Sequence, residues 1–198
     1  GTAQTPKISE KHPLQGQSPY SASKIGADKV VESFANAYKF PAVTIRPFNT
    51  YGPRQSMRAV IPTIIAQALF QKEIQIGSLE PVRDFTFVGD TVDAFLLAAS
   101  QEGVEGKVFN LGVDQEISIG NIVEKVLQLT GNEKKPVRSM QERIRPKNSE
   151  VFRLRSDHTQ AKEFLGWQPK TSLEEGLQKT IDWIQVHPQD YSETGYVT

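Results

Sequence analysis

Tyr20 and Lys24 stand four residues apart at the start of a predicted helix, so their side chains share a face. An ammonium beside a phenol favours the phenolate, and a phenol tuned in this way is a general base near neutral pH. The same pair is also an ordinary surface pairing on an amphipathic helix. Its neighbours Ser21, Ala22, Ser23 and Gly26 are small, which would let a backbone or a flat ligand come close. Asn49 follows a short β-branched segment and is flanked by Pro47 and Gly52. The carboxyl ends of strands are where α/β folds place ligands, although Asn also serves simply to make turns. Arg83 precedes Asp84, and Arg145 lies in the basic run RIRPK. Two arginines on separate loops can clamp a diphosphate through bidentate hydrogen bonds; each alone also reads as a solvated charge.

Composition limits the alternatives. Lys+Arg and Asp+Glu both number 23, so the formal net charge is zero, against a nonspecific nucleic-acid binder. The stretch 134–155 is nonetheless mainly basic, which fits a local anion site within a neutral chain. There is no cysteine, which excludes disulfides, thiolate metal sites and a cysteine nucleophile, and fits a cytoplasmic protein. His12, His158 and His187 are far apart, with no metal-ligand spacing, so no metal is expected. No apolar run approaches the roughly 20 residues of a membrane span, and the first residues carry no signal-peptide core.

The elements that must position these residues alternate between helix and strand. Ser18-Pro19 is a capping hydroxyl followed by Pro at the first helical position, and predicts a helix over 19–38 with Ile25, Val30, Phe34 and Ala37 as its apolar stripe. Residues 42–46 (AVTIR) read as a strand, 47–55 as loop and 60–70 as a helix that tolerates Pro62 in its first turn. Short strands are expected at 74–76 and 85–88, a helix at 90–100 and a strand at 108–111 (VFNL). Helices follow from Ser118 to near Gly131, at 157–165 and at 172–186; Trp167 reads as core, and 188–198 as a frayed polar tail. Only AVTIR and VFNL look like central strands of a parallel sheet, and they are expected to be parallel neighbours or near neighbours. No glycine-rich G-x-G-x-x-G follows a strand.

Five segments, taken in order, resemble the NAD-dependent nucleotide-sugar epimerases and dehydratases of the extended short-chain dehydrogenase/reductase type. They are SPYSASK, RPFNTYGPRQ, RDFTFVGDTVDAF, RPKNSEV and AKEFLGW. Within that family the wording most resembles 4,6-dehydratases acting on UDP-N-acetylglucosamine in legionaminic-type pathways. GDP-mannose 4,6-dehydratases and UDP-glucose 4-epimerases are more distant likenesses. The resemblance implies an α/β fold: a partial Rossmann sheet plus a smaller substrate-binding lobe. Residues 1–56 would end the Rossmann domain and 57–187 would be mostly substrate lobe, with a Rossmann strand near 107–111 and a tail at 188–198.

The same resemblance implies roles. Tyr20 would take the sugar 4-hydroxyl proton while hydride leaves for NAD. Lys24 would tune Tyr20 and bond the nicotinamide ribose, and Pro47 would lie beside the nicotinamide. Asn49, Arg83 and Arg145 would hold the sugar nucleotide, with both arginines in one cleft, and Val60 would meet its base. Asn148 departs from the Asp that the 4-epimerases tend to carry, which disfavours the epimerase alternative. The family's glycine-rich turn and its Ser/Thr motif with catalytic acids have no counterpart here, and Gly1 resembles the last Gly of that motif. The expectation is therefore a truncated chain that binds NAD poorly and is inactive alone. A noncatalytic fragment keeping substrate-lobe or dimerisation surfaces is the reading of another class. The intact enzyme would be a homodimer joined through the helix that carries Tyr20.

Overall fold

The computed structural model describes residues 3–141 and 151–191. The first helix, α1 (Pro19–Tyr38), starts where the sequence places it. Ser18 Oγ accepts from the Ser21 amide at 3.1 Å, and Ser21 Oγ accepts from the Ser18 amide at 2.9 Å. This reciprocal box satisfies two amides that the helix leaves open, and Pro19 lacks the amide that would be a third. The chain then enters β1 (Thr44–Pro47), which pairs in parallel with β6 (Val108–Leu111), as expected for AVTIR and VFNL. Helices α3 (Val88–Ser100) and α5 (Thr159–Leu165) pack on this pair. Ala94, Ala98, Phe109, Leu111, Ala161, Leu165 and Trp167 form the buried cluster between them. Trp167 is core, as expected, and its indole donates to the Asp90 carbonyl at 2.8 Å.

The second layer grows around α2 (Val60–Phe70), α4 (Ile119–Leu129) and α6 (Leu173–Val186). The stretch 47–55, expected as loop, contains β2 (Asn49–Tyr51), which pairs in parallel with β5 (Phe85–Phe87). Gly52 and Pro53 end this strand rather than preventing it, because β5 supplies the hydrogen-bond partner. Two further pairs were not expected. Strand β3 (Ile74–Ile76) lies parallel to β8 (Val137–Ser139), and β4 (Val82–Arg83) runs antiparallel to β7 (Ile117–Ser118). Lys135 closes the end of α2, its ammonium donating to the carbonyls of Gln67 (3.2 Å), Ala68 and Gln71 (2.7 Å). Cations at a helix C-terminus satisfy its open carbonyls and oppose its dipole.

The lobe core includes Tyr51, Ile61, Ile64, Ile65, Phe85, Ile122, Val126, Leu177 and Ile181. Among the described residues it is the larger of the two buried clusters. The tail also departs from expectation: Pro188–Asp190 form a 3-10 turn and Tyr191 is buried against the lobe, while 192–198 lie outside the described residues. Among the described residues no helix is long and apolar enough to cross a membrane.

Candidate functional site

The box at Ser18 sets the first turn of α1, and with it Tyr20 and Lys24. The Lys24 ammonium lies 5.6 Å from the centre of the Tyr20 ring, and Tyr20 is 72% exposed. Strand β1 ends in Pro47, and two residues later β2 begins with Asn49. Tyr20, Pro47 and Asn49 line one cavity of about 340 Å³, together with His12, Arg46 and Asn110. Arg46 is fixed by Asp28 of α1 at 2.7 Å, which ties the helix to the strand beneath it.

A second cavity, about 320 Å³, shares Asn49 with the first. Val60 and Arg83 line it with Asn49, so three of the four expected substrate contacts share one wall. Arg83 donates to the Val82 carbonyl at 3.0 Å. Arg145 and Asn148 lie outside the described residues, and with them the expected pairing of the two arginines. Asn49 belongs to both cavities and is held from both of its nitrogens. Its amide and its Nδ2 each donate to the Asp84 carbonyl at 3.2 Å. The side-chain carbonyl of Asn49 is not used by that contact and remains available to a ligand.

Sequence reasoning passed over the residues that hold this arrangement in place. Asp84 is fully buried. Its carboxylate accepts from the amides of Val113 (2.8 Å), Asp114 (3.1 Å) and Ser156 (2.9 Å). Burial pushes its pKa up, and those three amides pull against the shift. Gly112 is required at this junction, because a Cβ there would stand 2.2 Å from Ser156 Cβ and 2.8 Å from the Asp84 carboxylate. Asp90 does the same work in the first turn of α3, accepting from the amides of Lys170 (3.2 Å) and Thr171 (3.0 Å). Both aspartates sit in RDFTFVGDTVDAF, and both join the strand–helix unit to chain far away in sequence. Gln55 and Arg58 also line the second cavity. Their only sequence signal was position, between a strand end and the start of a helix whose cap residue, Ala59, has no capping side chain.

A family model described as GDP-mannose 4,6 dehydratase matches residues 1–180. The chain is 33% identical over 184 residues to a dTDP-D-glucose 4,6-dehydratase of Mus musculus, covering 90% of this chain and 51% of that protein. It is 33% identical over 189 residues to a UDP-glucose 4-epimerase of Mycolicibacterium smegmatis, covering 93% of this chain and 58% of that one. The fold superposes on a dTDP-glucose 4,6-dehydratase from Bacillus anthracis, solved in complex with NAD. There the TM-score is 0.85, with 29% identity, over 94% of this chain and 58% of the other. The chain thus spans about half the length of the curated relatives it matches.

Proposed function

The chain belongs to the GDP-mannose 4,6-dehydratase family, and from that membership we propose that it carries the tyrosine base and the sugar-nucleotide site of an NAD-dependent nucleotide-sugar 4,6-dehydratase. The observation that carries this reading is the pair of cavities joined at Asn49, with Tyr20 and Pro47 on one side and Val60 and Arg83 on the other. A sugar resting at Asn49 would present its ring to Tyr20 and its nucleoside diphosphate to Arg83. On this reading residues 1–56 end the dinucleotide-binding layer. Residues 57–187 are mostly substrate lobe, and the strand near 107–111 returns to the layer.

The exposed phenol and the ammonium beside it suit the nicotinamide-ribose end of NAD. When bound, that cofactor would accept hydride from C4 and return it at C6, with net loss of water across C5–C6. The chain's own residues would serve the oxidation at C4 and hold the sugar nucleotide. Tyr20 takes the 4-hydroxyl proton, which lets the C4–O bond become a carbonyl. Lys24, beside the Tyr20 ring, bonds the ribose. Pro47 offers an apolar surface beside the nicotinamide, and Asn49 orients the sugar. Arg83, joined on this proposal by Arg145, holds the diphosphate. The proposed substrate is of the UDP-N-acetylglucosamine type, on the resemblance of the five segments together to 4,6-dehydratases that act on it. A homodimer through α1 belongs to the same proposal, supported by the exposure of Val30, Val31, Phe34 and Tyr38. So does a cytoplasmic setting, in keeping with a cysteine-free sequence.

The identity to the mycobacterial 4-epimerase supports a second reading, in which the same Tyr20 and Lys24 serve inversion at C4. Proton NMR of UDP-N-acetylglucosamine incubated with NAD and the full-length gene product separates the two. A new methyl doublet with loss of the 6-hydroxymethyl signals is the expected outcome. A gluco/galacto mixture with C6 intact would establish the epimerase instead. Tyr20→Phe should lower either activity by about 10²–10⁴-fold.

A further inference from the structure

We infer that Arg58 is a second phosphate contact of the Asn49–Arg83 cavity, engaging the diphosphate of a nucleoside diphosphate alongside Arg83. The inference rests on the proposed function only in taking a nucleoside diphosphate as the ligand.

Seven arginines are described, and six of them are engaged. Arg46, Arg138, Arg153 and Arg155 each pair with a carboxylate. Arg54 lies 5.0 Å over the Trp183 ring, and Arg83 donates to the Val82 carbonyl. The guanidinium of Arg58 has no partner among the described residues, yet it lines the cavity. No Asp or Glu lines that cavity among the described residues; its polar side chains are Asn49, Gln55, Thr50, Thr63, Gln75 and Ser78. Two guanidinium groups on such a wall make it a site for an anion.

The backbone under Arg58 is fixed. Its amide donates to Ser56 Oγ at 3.3 Å, the Ala59 amide donates to the Ser56 carbonyl at 3.0 Å, and Thr63 Oγ1 donates to the Met57 carbonyl at 2.7 Å. A guanidinium carried on a fixed turn loses less freedom on binding than one on a mobile loop. Its planar fork also suits phosphate oxygens.

The test is calorimetric titration of the 198-residue chain with UDP, and titration with uridine followed by NMR shifts. Arg58→Gln, a substitution at an exposed side chain, is expected to unfold at the same temperature as the parent. It should weaken UDP about tenfold, the worth of a charge-assisted hydrogen bond, and leave uridine unchanged. Arg83→Gln serves as comparator and should also weaken UDP. If Arg58→Gln binds UDP like the parent while Arg83→Gln does not, the inference is wrong and the proposed function stands. If Arg58→Gln weakens uridine as much as UDP, the contact is not to phosphate and the inference is likewise overturned. If the parent does not bind UDP, or neither variant changes its binding, the inference and the proposed function fall together.

Discussion

Helices α1 and α2 both carry apolar stripes, yet α2 buries seven of its 11 residues and α1 buries none of its 20. The difference lies in what surrounds them. Helix α2 packs against α4, α6 and β3. Helix α1 rests over β1, leaving Val30 56%, Phe34 50% and Tyr38 74% exposed. Val30, Val31, Phe34, Phe40, Val43 and Ile45 line an open apolar groove between that helix and strand. What attaches α1 within this chain is mainly polar, above all the Asp28–Arg46 pair. The substrate lobe is therefore held together by burial, and α1, which presents Tyr20, by its cap and by polar contacts, although the β1–β6 layer beneath it has a buried cluster of its own. A site built across both inherits a rigid half and a half that depends on local contacts.

Paired truncations test this most strongly. Ile64 is fully buried in the lobe, and Ile64→Ala should cost about 2–5 kcal/mol of unfolding free energy. Phe34→Ala removes more atoms but from an exposed site, and should cost no more than about 0.5 kcal/mol. Urea denaturation followed by fluorescence can assign the loss to a region. The two tryptophans report separately, Trp167 in the β1–β6 layer and Trp183 against the lobe core. Equal losses in the two variants would break the contrast.

A smaller effect is expected at Gly176, where α6 meets β2. A Cβ at that position would stand 2.1 Å from the Tyr51 hydroxyl and 2.8 Å from its ring carbon. Gly176→Ala should therefore cost about 1–3 kcal/mol through overpacking, despite the better helix propensity of Ala. Tyr51 also donates to the Leu173 carbonyl at 3.2 Å, and that bond must yield or bend. Burial, reinforced by the negative charges of Asp90 and Glu175, pushes the Tyr51 pKa well up, so the hydroxyl stays a donor. If Gly176→Ala matched or exceeded the parent in urea, the lobe would be looser than its burial implies.

The same contrast explains what the sequence disclosed. Ser18-Pro19 placed the start of α1 to the residue because a cap is a local device. AVTIR and VFNL disclosed their pairing because both are short, mostly apolar runs of the kind that form the central strands of a parallel sheet. Strand β8 was hidden, since Val137, Arg138 and Ser139 are all exposed and show no pattern. Strand β2 was hidden behind Gly52 and Pro53. Tyr20, Lys24, Asn49 and Arg83 stood out through their neighbours, whereas Asp84 and Asp90 did not. Their partners lie 29–81 residues away along the chain, and such distances leave no periodic trace.

The smallest predicted effect concerns the polar half alone. Residues near the N-terminus are strapped to the β1–β6 layer: the Ile8 amide donates to the Arg155 carbonyl at 2.8 Å, and Lys7 and Arg155 both pair with Asp114. Burial of Asp114 acts to raise its pKa, but the hydrogen bonds and charges of Lys7 and Arg155 outweigh it and hold the carboxyl below its usual 3.8. For an acid whose folded pKa is depressed, the stabilisation is present above the unfolded value and is lost as pH falls through the folded one. The pair side chains are 28–43% exposed, so the contribution is about 0.2–1 kcal/mol. Asp114→Asn removes the charge while keeping a residue that tolerates the left-handed φ of 58°. The variant should therefore be slightly less stable than the parent at pH 7, and the gap should close as pH drops below about 3.8. Asp84 has the opposite sign, since burial raises its pKa; the Asp114 charge adds to that rise, so Asp114→Asn also relieves part of it, which keeps the gap at pH 7 small. The Ile8 amide resonance should move in acid before the Trp183 indole does, because the strap opens while the lobe stays packed. A gap that persists unchanged at pH 2, or a Trp183 signal that moves first, would mean that the charge on Asp114 does not hold the strap.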